Sequence, residues 1–376
     1  MDKKLNILFL CGWYPSRVLP NNGDFIQRHA KAVSLLHNVE VIHIISDEKS
    51  TKNIEIETKE INDIKTHIGY IKQTNNPILK CIRYWKTYII LLRKIKSFDA
   101  VHLNELYPFG VFALHLKWFK KKPFIISEHW TIYHKPQCEN ISFTQKIMSR
   151  LIVKKAAFVC PVSNNLKESM QSLKFDGNYK RVPNVVDTRL FYPEENNEGI
   201  FTITHISNMS NSHKNIEGIL RVISKIESKI DNFKFNLVGE NSKKYRSYSK
   251  KINLNTVFFK DHIEHREVAN ELQKSNLFIL FSNYENLPCV ILEAFSCGVP
   301  VISSKVGGIS EFFPNDFGFL IQPNDEIDLE KKIIEIYTNF NTKKTKMHKY
   351  AEENFSELKI AKEFSKLYKL SKKLKN

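Results

Sequence analysis

Two glutamates, Glu285 and Glu293, stand eight positions apart in a segment rich in turn and helix signals. Glu285 falls in a polar, turn-like segment after an apolar run of strand length, 277–281. Pro288 suits the start of a helix, because its missing N–H needs no partner there and its φ angle is already helical. A helix beginning there carries Glu293 about two turns beyond Glu285. Since a carboxylate accepts hydrogen bonds from neighbouring sugar hydroxyls, the pair is suited to hold two sugars on either side of a diphosphate.

The rest of the stretch 277–313 predicts the elements that position these carboxylates. Gly298 is placed to end the helix, and a second apolar strand follows it. Gly307 and Gly308 then form a tight loop before a second helix, which carries Glu311. This β-loop-α-β-loop-α pattern indicates a parallel sheet with two helix N-termini at one edge. Helix N-termini attract phosphate, and ligands of open α/β sheets bind at the carboxyl ends of the strands.

The same stretch resembles the family 4 retaining glycosyltransferases of the GT-B type. Their hallmark is Glu-x7-Glu, followed by a small-residue Ala-Gly segment, a Pro-Val strand and Gly-Gly-x-x-Glu. The matching residues here are Glu285, Glu293, Ala294, Gly298, Pro300, Val301, Gly307, Gly308 and Glu311. The resemblance implies an α/β fold with two Rossmann-like, doubly wound domains facing a central cleft. It also implies a C-terminal helix that crosses back to the first domain.

The domain boundaries follow from a second similar segment. Residues 182–193 resemble the end of the first domain in that family, with Val185 where relatives usually have glycine. We therefore expect an N-terminal, acceptor-side domain over residues 1–193, completed by a helix at about 356–376. A polar linker, 194–199, then leads to a nucleotide-sugar-binding domain over 200–355. A length of 376 residues fits two domains.

The resemblance implies roles for residues outside that stretch. His129 follows an apolar run at 124–127 and matches the active-site histidine beside the donor sugar. Its imidazole, neutral near pH 7, can donate or accept one hydrogen bond there. Gly23 matches the glycine loop near the donor phosphate, with one glycine where many relatives have two. Lys214 matches the lysine that clamps the diphosphate.

An expected arginine is missing from that clamp. Its position falls near Asn208, and a guanidinium makes bidentate, charged hydrogen bonds that an amide does not. Either Lys214 and helix N-termini suffice, or another cation such as Lys305 contributes.

The resemblance also implies a mechanism. Glu285 orients the donor sugar and Glu293 holds the ribose diol. Backbone amides near Asn286 and Leu287 bind the leaving diphosphate, and Ile263 neighbours the nucleobase. The leaving phosphate oxygen takes the acceptor proton on the same face of the sugar, so no protein nucleophile is needed. No Asp-x-Asp metal motif is evident, so we expect neither a metal nor a cofactor beyond the donor substrate.

The composition bounds the partners. The chain has 57 lysines and arginines against 40 acidic residues, a formal net charge of +17. Such a surface attracts nucleic acid, anionic lipid or phosphorylated substrates. No zinc-finger or RNA-recognition signature is present, so we expect no nucleic-acid partner. A predicted helix over 77–98 interleaves basic, aromatic and aliphatic residues, which suits an anionic membrane surface or, equally, a partly buried helix with a solvated basic edge.

Two further features point to the compartment. No apolar run approaches the 18 residues of a membrane-spanning helix, and the six cysteines show no metal-binding spacing. Reduced core thiols are typical of a cytosolic protein. We therefore expect a cytoplasmic protein, either free in the cytoplasm or peripheral on the inner face of the cell membrane.

These observations predict a retaining glycosyltransferase that moves a hexose-type sugar from a UDP- or GDP-sugar to a glycan or lipid-linked acceptor. The expected process is the biosynthesis of a surface polysaccharide (capsule, O-antigen or exopolysaccharide). The alternatives are a GT-B phosphorylase, a nucleotide-sugar epimerase, or a non-catalytic partner that binds a sugar nucleotide or the membrane in a polysaccharide assembly complex. No GxGxxG follows the first strand, which argues against a dinucleotide-dependent dehydrogenase.

Overall fold

The computed structural model describes residues 3–195, 199–340 and 342–374. The chain falls into two compact units, one made of Met1–Val185 with Glu357–Asn376 and the other of Val186–Ser356. The middle of the expected linker, 196–198, lies outside the described residues. So do the last two residues of the expected C-terminal helix.

The first unit is built on a seven-stranded sheet within the described part of the chain. Its strands are β1 (Asn6–Cys11), β2 (Asn38–Asp47), β3 (Ile54–Ile61), β4 (Ile64–Lys72), β5 (Ala100–Asn104), β6 (Phe124–Glu128) and β7 (Phe158–Pro161). Their spatial order is β3-β4-β2-β1-β5-β6-β7. Only the β3–β4 hairpin is antiparallel. Without β3, this is the strand order of a doubly wound Rossmann sheet.

The second unit has a six-stranded sheet, again counting described residues. Its strands are β8 (Phe201–Ile206), β9 (Phe233–Val238), β10 (Val257–Lys260), β11 (Leu277–Leu280), β12 (Val301–Ser304) and β13 (Gly318–Ile321). They lie in the order β10-β9-β8-β11-β12-β13, and every pair is parallel. The expected pair of Rossmann-like domains is therefore confirmed.

Helices cover the sheets. They are α1 (Asp24–Ser34), α2 (Pro77–Leu92), α3 (Gly110–Lys120), α4 (Phe143–Lys155), α5 (Asn164–Ser172), α6 (Asn211–Lys214), α7 (Ile216–Ile226), α8 (Arg246–Lys251), α9 (His265–Gln273), α10 (Cys289–Ser296), α11 (Glu326–Asn339), α12 (Lys344–Phe355) and α13 (Glu357–Lys373). Polar side chains fix several starts. Asn76 accepts hydrogen bonds from the N–H groups of Ile78 and Leu79 at the start of α2, as an N-cap does. No helix among the described residues is long and apolar enough to cross a membrane.

Helix α13 belongs to the first unit, as expected, and packs against α1. Ile360 and Phe364 of α13 join the cluster that includes Phe9 of β1 and Ala30 of α1. The Tyr368 hydroxyl lies 2.6 Å from His102 Nδ1 within this core. The first sheet is therefore covered in part by residues that follow the whole second unit in the chain.

The segment 186–193, which we expected at the end of the first domain, lies in the second unit. The Val186 N–H donates to the carbonyl of Phe355 at 2.9 Å. The Ser296 hydroxyl donates to the carbonyl of Phe191 at 2.5 Å. These bonds attach the segment to α12 and α10.

Candidate functional site

The second unit places a charged pair at the point where its strand order reverses. Strands β8 and β11 are neighbours there, and ligands of open α/β sheets bind beyond the carboxyl ends of the strands at such a point. Lys214, on α6 beyond β8, forms an ion pair with Glu285 in the loop after β11. Ser282 donates a hydrogen bond of 2.7 Å to the same carboxylate oxygen. Both charged side chains are largely buried, with 16% and 9% of their surface exposed.

Hydrogen bonds hold the two loops together. The Asn283 N–H donates to the carbonyl of His213 at 2.7 Å, and the Asn283 side chain donates to the carbonyl of Ser212 at 3.0 Å. The rings of His213 and Tyr284 lie 5.8 Å apart. The contact between Lys214 and Glu285 is thus fixed by the backbone of both loops as well as by charge.

The Gly-Gly segment supports the backbone beside Glu285. Gly307 has φ of +56°, and a Cβ added to it would lie 1.9 Å from the carbonyl oxygen of Glu285. The Gly308 N–H donates to the carbonyl of Asn286 at 2.8 Å. Only glycine fits at 307, both for its left-handed backbone and for this close approach. The loop 307–308 therefore positions the loop of Glu285, Asn286 and Leu287.

Glu293 lies on α10, with its side chain 4% exposed. Its Oε1 is 3.0 Å from Nε2 of His265, the first residue of α9, which is the geometry of an N–H donating to a carboxylate. The His265 ring also packs 4.8 Å from that of Phe191. Ile263 lies half-buried two residues before His265, in the loop from β10. Glu293 is therefore oriented by a residue from the strand-to-helix connection that also carries Ile263.

The loop after β8 is ordered by neutral side chains. His205 is buried, with Nδ1 2.8 Å from the carbonyl of Ile279 and Nε2 2.8 Å from the Ser207 hydroxyl. Burial lowers the pKa of His205 to about 4, so it is neutral at pH 7. The Asn208 side chain accepts a hydrogen bond from the Ser210 N–H at 3.3 Å. Asn208 thus shapes the turn and brings no charge to this loop.

In the first unit, Gly23 begins α1 with φ of +76°. A Cβ at this position would lie 2.6 Å from the carbonyl carbon of Trp13. Glycine is required here because the β1–α1 connection folds back on its own backbone.

His129 follows β6 in the first unit and is enclosed by other rings. Its ring centroid lies 4.7 Å from that of Phe25 and 5.2 Å from that of His29. Burial, together with the nearby His29, lowers the pKa of His129 well below its usual value. Burial likewise lowers the pKa of His29 to about 4. Both imidazoles are therefore neutral at pH 7, as expected for His129 from the sequence.

The first unit has its own point of strand reversal, between β1 and β5, and a carboxyl group occupies it. Glu105 follows β5 with φ of +75° and is 5% exposed. A Cβ added to Gly12, directly after β1, would lie 1.9 Å from Glu105 Oε2. Burial, with a contribution from nearby Glu128, raises the pKa of Glu105 to about 9. Glu105 is therefore a neutral acid at pH 7 that covers the glycine after β1.

Glu128 ends β6 and fixes the loop that carries His129. One carboxylate oxygen accepts hydrogen bonds from the N–H groups of His129 and Trp130, each at 2.9 Å. The other accepts from the Leu106 N–H at 2.9 Å. Burial raises the pKa of Glu128, and these hydrogen bonds act in the opposite direction. The sequence analysis singled out His129 and passed over Glu128, although Glu128 also stands directly at the end of an apolar run.

Comparison with known proteins decides the family. The model "Glycosyltransferase Family 4" matches residues 26–190, and "Glycosyl transferases group 1" matches residues 190–354. The chain belongs to the family 4 glycosyltransferases. This glycosyltransferase is 25% identical over 325 residues to an uncharacterized glycosyltransferase of Methanocaldococcus jannaschii, a match that covers 78% of this chain and 86% of that protein.

Two further likenesses are of different kinds. A stretch of 67 residues is 46% identical to the Vi polysaccharide biosynthesis protein VipC/TviE of Salmonella typhi, covering 18% of this chain and 12% of that protein. The fold is similar to that of Anabaena HepE in complex with UDP-glucose, with a TM-score of 0.74 and 17% identity. That likeness covers 97% of this chain and 100% of the other, and it supports the GT-B fold.

The predicted site residues of this glycosyltransferase are divided between the units. One group lies around the loop after β11 in the second unit, namely Glu285, Asn286, Leu287, Glu293 and Lys214, with Asn208 and Ile263 in neighbouring loops. Gly23 and His129 lie in the first unit, in the loops after β1 and β6. Lys305 is exposed directly after β12. Within the described residues, no group of three or more His, Cys, Asp or Glu side chains is placed to hold a metal ion.

Proposed function

We propose that this glycosyltransferase moves a hexose-type sugar from a nucleotide-diphosphate sugar, a UDP- or GDP-sugar, to a glycan or lipid-linked acceptor with retention of configuration. The process is the biosynthesis of a surface polysaccharide. The enzyme acts in the cytoplasm, peripheral on the inner face of the cell membrane. The observation that carries the proposal is the Lys214–Glu285 pair at the strand reversal of the second unit.

Lys214 supplies the charge that a leaving diphosphate needs. Its ammonium group is paired with Glu285 and has further N–H donors for a diphosphate. As the bond to the sugar breaks, negative charge grows on the phosphate oxygen that leaves the anomeric carbon. A cation already fixed where that charge develops stabilises the transition state without reorganisation. We expect this charge to make a divalent cation dispensable, so that transfer persists in EDTA.

The two glutamates have separate roles. Glu293, oriented by His265, accepts hydrogen bonds from the ribose diol, since an ionised carboxylate has two acceptor oxygens. Glu285 is held by Ser282 and accepts hydroxyls of the donor sugar. Backbone groups near Asn286 and Leu287 neighbour the diphosphate, and Ile263 neighbours the base.

The transfer step needs no protein nucleophile. The acceptor hydroxyl oxygen forms a bond to the anomeric carbon as the bond from that carbon to the diphosphate oxygen breaks. The acceptor proton passes to the departing diphosphate on the same face of the sugar, which accounts for retention. His129, neutral and beside the rings of Phe25 and His29, orients the donor sugar through a hydrogen bond.

The relatives support the substrate class. Anabaena HepE is described in complex with UDP-glucose, and the Salmonella typhi relative is described as a Vi polysaccharide biosynthesis protein. A UDP-sugar and a polysaccharide pathway are therefore the first candidates to test.

Thermal unfolding in the presence of nucleotides tests the donor site. Wild type and Glu293→Ala are heated with UDP, GDP, ADP or CDP and their sugar conjugates. A ligand at 100 times its dissociation constant stabilises the folded state by about 2.7 kcal/mol. We expect one nucleotide to raise the melting temperature of wild type but not of the variant. Glu353→Ala, an exposed glutamate of the same unit, should respond like wild type. No shift with any nucleotide would contradict the proposal.

A non-catalytic sugar-nucleotide-binding protein is the second candidate. Asn208 stands where relatives have the clamp arginine, and its side chain is engaged in the local turn. Release of free nucleotide in the presence of donor and acceptor separates the two. Saturable donor binding without release would favour the second candidate.

A further inference from the structure

A groove lined by lysines runs along one side of the first unit. It lies between the C-terminal end of α1 and the outer face of α13, and its volume is about 630 Å³. Five lysines and one histidine line it, namely Lys4, His37, Lys362, Lys366, Lys369 and Lys373. Neither Asp nor Glu is among its lining residues. We call this feature the lysine groove.

The lysines of α13 form a single row. Residues 362, 366, 369 and 373 recur every three or four positions, so they share one face over about 16 Å of helix. Like charges at this spacing repel one another and weaken the helix. A row of this kind is complemented by an anion outside the helix.

Three of the four lysines in the row have no ion-pair partner among the described residues. In the described part of the chain, Lys4, Lys362, Lys366 and Lys373 have no carboxylate within ion-pair distance. Lysines just outside the groove differ, because Lys31 pairs with Glu357 at 2.9 Å and Lys372 pairs with Asp99 at 2.8 Å. The groove therefore carries positive charge that the carboxylates of the described residues do not offset.

His37 adds a buried donor to the lining. It is 3% exposed, and its Nδ1 accepts a hydrogen bond from the Leu5 N–H at 3.2 Å. The ring proton must then be on Nε2, which has no hydrogen-bond partner among the described residues. Burial, with Lys369 and Lys4 nearby, lowers the pKa of His37, so the ring stays neutral. An unsatisfied buried donor of this kind favours an acceptor from a ligand.

The groove also has apolar edges. Leu35 at the end of α1 is 45% exposed and Leu370 of α13 is 37% exposed, and both line the groove. Leu374, 61% exposed, lies one turn beyond Leu370 and outside the lining. Lysines that surround exposed leucines are typical of surfaces that meet the headgroup region of a bilayer. A small hydrophilic anion would use the lysines but would leave these leucines in water.

Helix α2, the membrane candidate from the sequence, is less well suited. Arg83 donates to the carbonyl of Lys72 at 2.7 Å and to the Asn53 side chain at 2.6 Å. Tyr88 is buried and stacks on Phe112 with ring centroids 4.2 Å apart. Ile78, Leu79, Ile82, Trp85 and Ile90 of α2 remain exposed, whereas Arg83 and Tyr88 serve packing within the unit.

We propose that the lysine groove binds the phosphate headgroup of an anionic phospholipid, with Leu35, Leu370 and Leu374 against the interfacial layer of the bilayer. This inference rests on the peripheral location proposed above and is independent of the donor. Lysines near an anionic membrane each strengthen binding about fivefold, so loss of three should weaken it on the order of 100-fold.

Vesicle co-sedimentation of the full chain tests the proposal. The variant Lys362→Gln/Lys366→Gln/Lys373→Gln is compared with Lys80→Gln/Lys86→Gln/Lys94→Gln, which removes the same charge from exposed lysines on and just after α2. With equimolar phosphatidylglycerol and phosphatidylcholine, we expect the groove variant to bind on the order of 100-fold more weakly than wild type and the α2 variant to bind nearly as wild type. Equal binding by the groove variant and wild type, or an equal loss in the α2 variant, would overturn the assignment.

Two further measurements show which part of the proposal is wrong if the groove variant does not behave as expected. Saturable binding of inorganic phosphate by the groove of wild type, without vesicle binding, would replace the lipid by a soluble phosphate. Absence of wild-type binding to any vesicle would overturn the peripheral location as well as the groove assignment. Neither result affects the nucleotide thermal shift, so the transferase proposal stands or falls separately. His37→Gln, which keeps a donor group, should bind vesicles better than His37→Phe.

Discussion

Apart from β3, the two units share one strand order, but the side chains at their points of strand reversal are charged in one unit and neutral in the other. In the second unit, Lys214 and Glu285 meet as an ion pair. In the first unit, Glu105 covers Gly12 as a neutral acid, and His129 and His29 are neutral nearby. One sheet edge thus carries charged side chains and the other carries neutral ones. The same fold therefore supports different binding chemistry, because the loops and not the strands carry it.

The largest effect is expected from Gly307→Ala, which disturbs the loop of the charged pair in the second unit. The new methyl group would meet the carbonyl of Glu285, so left-handed strain of about 1–2 kcal/mol and overpacking of about 1–3 kcal/mol should both destabilise the protein. Chemical denaturation measures the loss. Gly199→Ala is the matched control, since Gly199 has φ of +65° but nothing within 4 Å of its added Cβ. Equal losses in the two variants would show that the contact with Glu285 has no energetic weight.

Lys214→Met should lower kcat by about 10²–10³-fold, the usual result of removing one group that stabilises developing negative charge. Steady-state kinetics with the donor identified by thermal shift measures this. Lys225→Met, an exposed lysine on α7, should leave kcat unchanged. Lys305→Met is a second test. A lower kcat in this variant would show that Lys305 supplies the positive charge expected from the missing arginine. Unchanged kcat in Lys214→Met would show that the charge of Lys214 does not contribute to transfer.

His129→Asn should lower kcat by about 2- to 10-fold through loss of one neutral hydrogen bond of about 0.5–1.5 kcal/mol to the reacting sugar. Nucleotide affinity should stay at the wild-type value, since the proposed nucleotide contacts belong to the second unit. Because burial keeps His129 neutral, the pH profile of kcat should show no ionisation of this ring between pH 5 and 8. If nucleotide affinity fell together with kcat, the proposed separation of roles between the two units would be wrong.

The last prediction concerns the pH dependence of stability. The pKa of Glu105 is raised from 4.5 to about 9, so the native protein retains a proton that the unfolded chain loses. This contribution is fully present below pH 4.5 and is lost as pH rises towards 9. Glu105→Gln lacks it, so the variant should gain stability relative to wild type as pH increases through that window. Parallel stability curves from pH 5 to 9 would show that Glu105 ionises normally.

Local sequence signals predicted the strand and the helix that carry the candidate residues Glu285 and Glu293, which are close in the chain. The strand before Glu285 and the helix with Glu293 follow from an apolar run, a proline and a glycine. The second helix, with Glu311, was predicted wrongly, because residues Ile309–Phe312 form only a 3₁₀ turn. Pro314 follows at once and disfavours a longer helix.

Contacts between distant residues escaped the sequence analysis. The bond from His265 to Glu293 joins positions 28 apart, and the proximity of Glu105 to Gly12 depends on β1 and β5 being neighbours. The β3–β4 hairpin did have a local signal that was not used. Asn62 and Asp63 both take positive φ in its two-residue turn, as Asn and Asp often do in such hairpins.

The position of α13 has a consequence for synthesis on the ribosome. Residues Val186–Ser356 are translated in full before α13 leaves the exit tunnel, so the second unit can reach its native contacts while the first still lacks a helix. Until then the apolar side chains around Phe9 and Ala30 lack their contacts with Ile360 and Phe364. The half of the protein that is made first is therefore the last to be completed, and its exposed core is the part most in need of a chaperone during that interval.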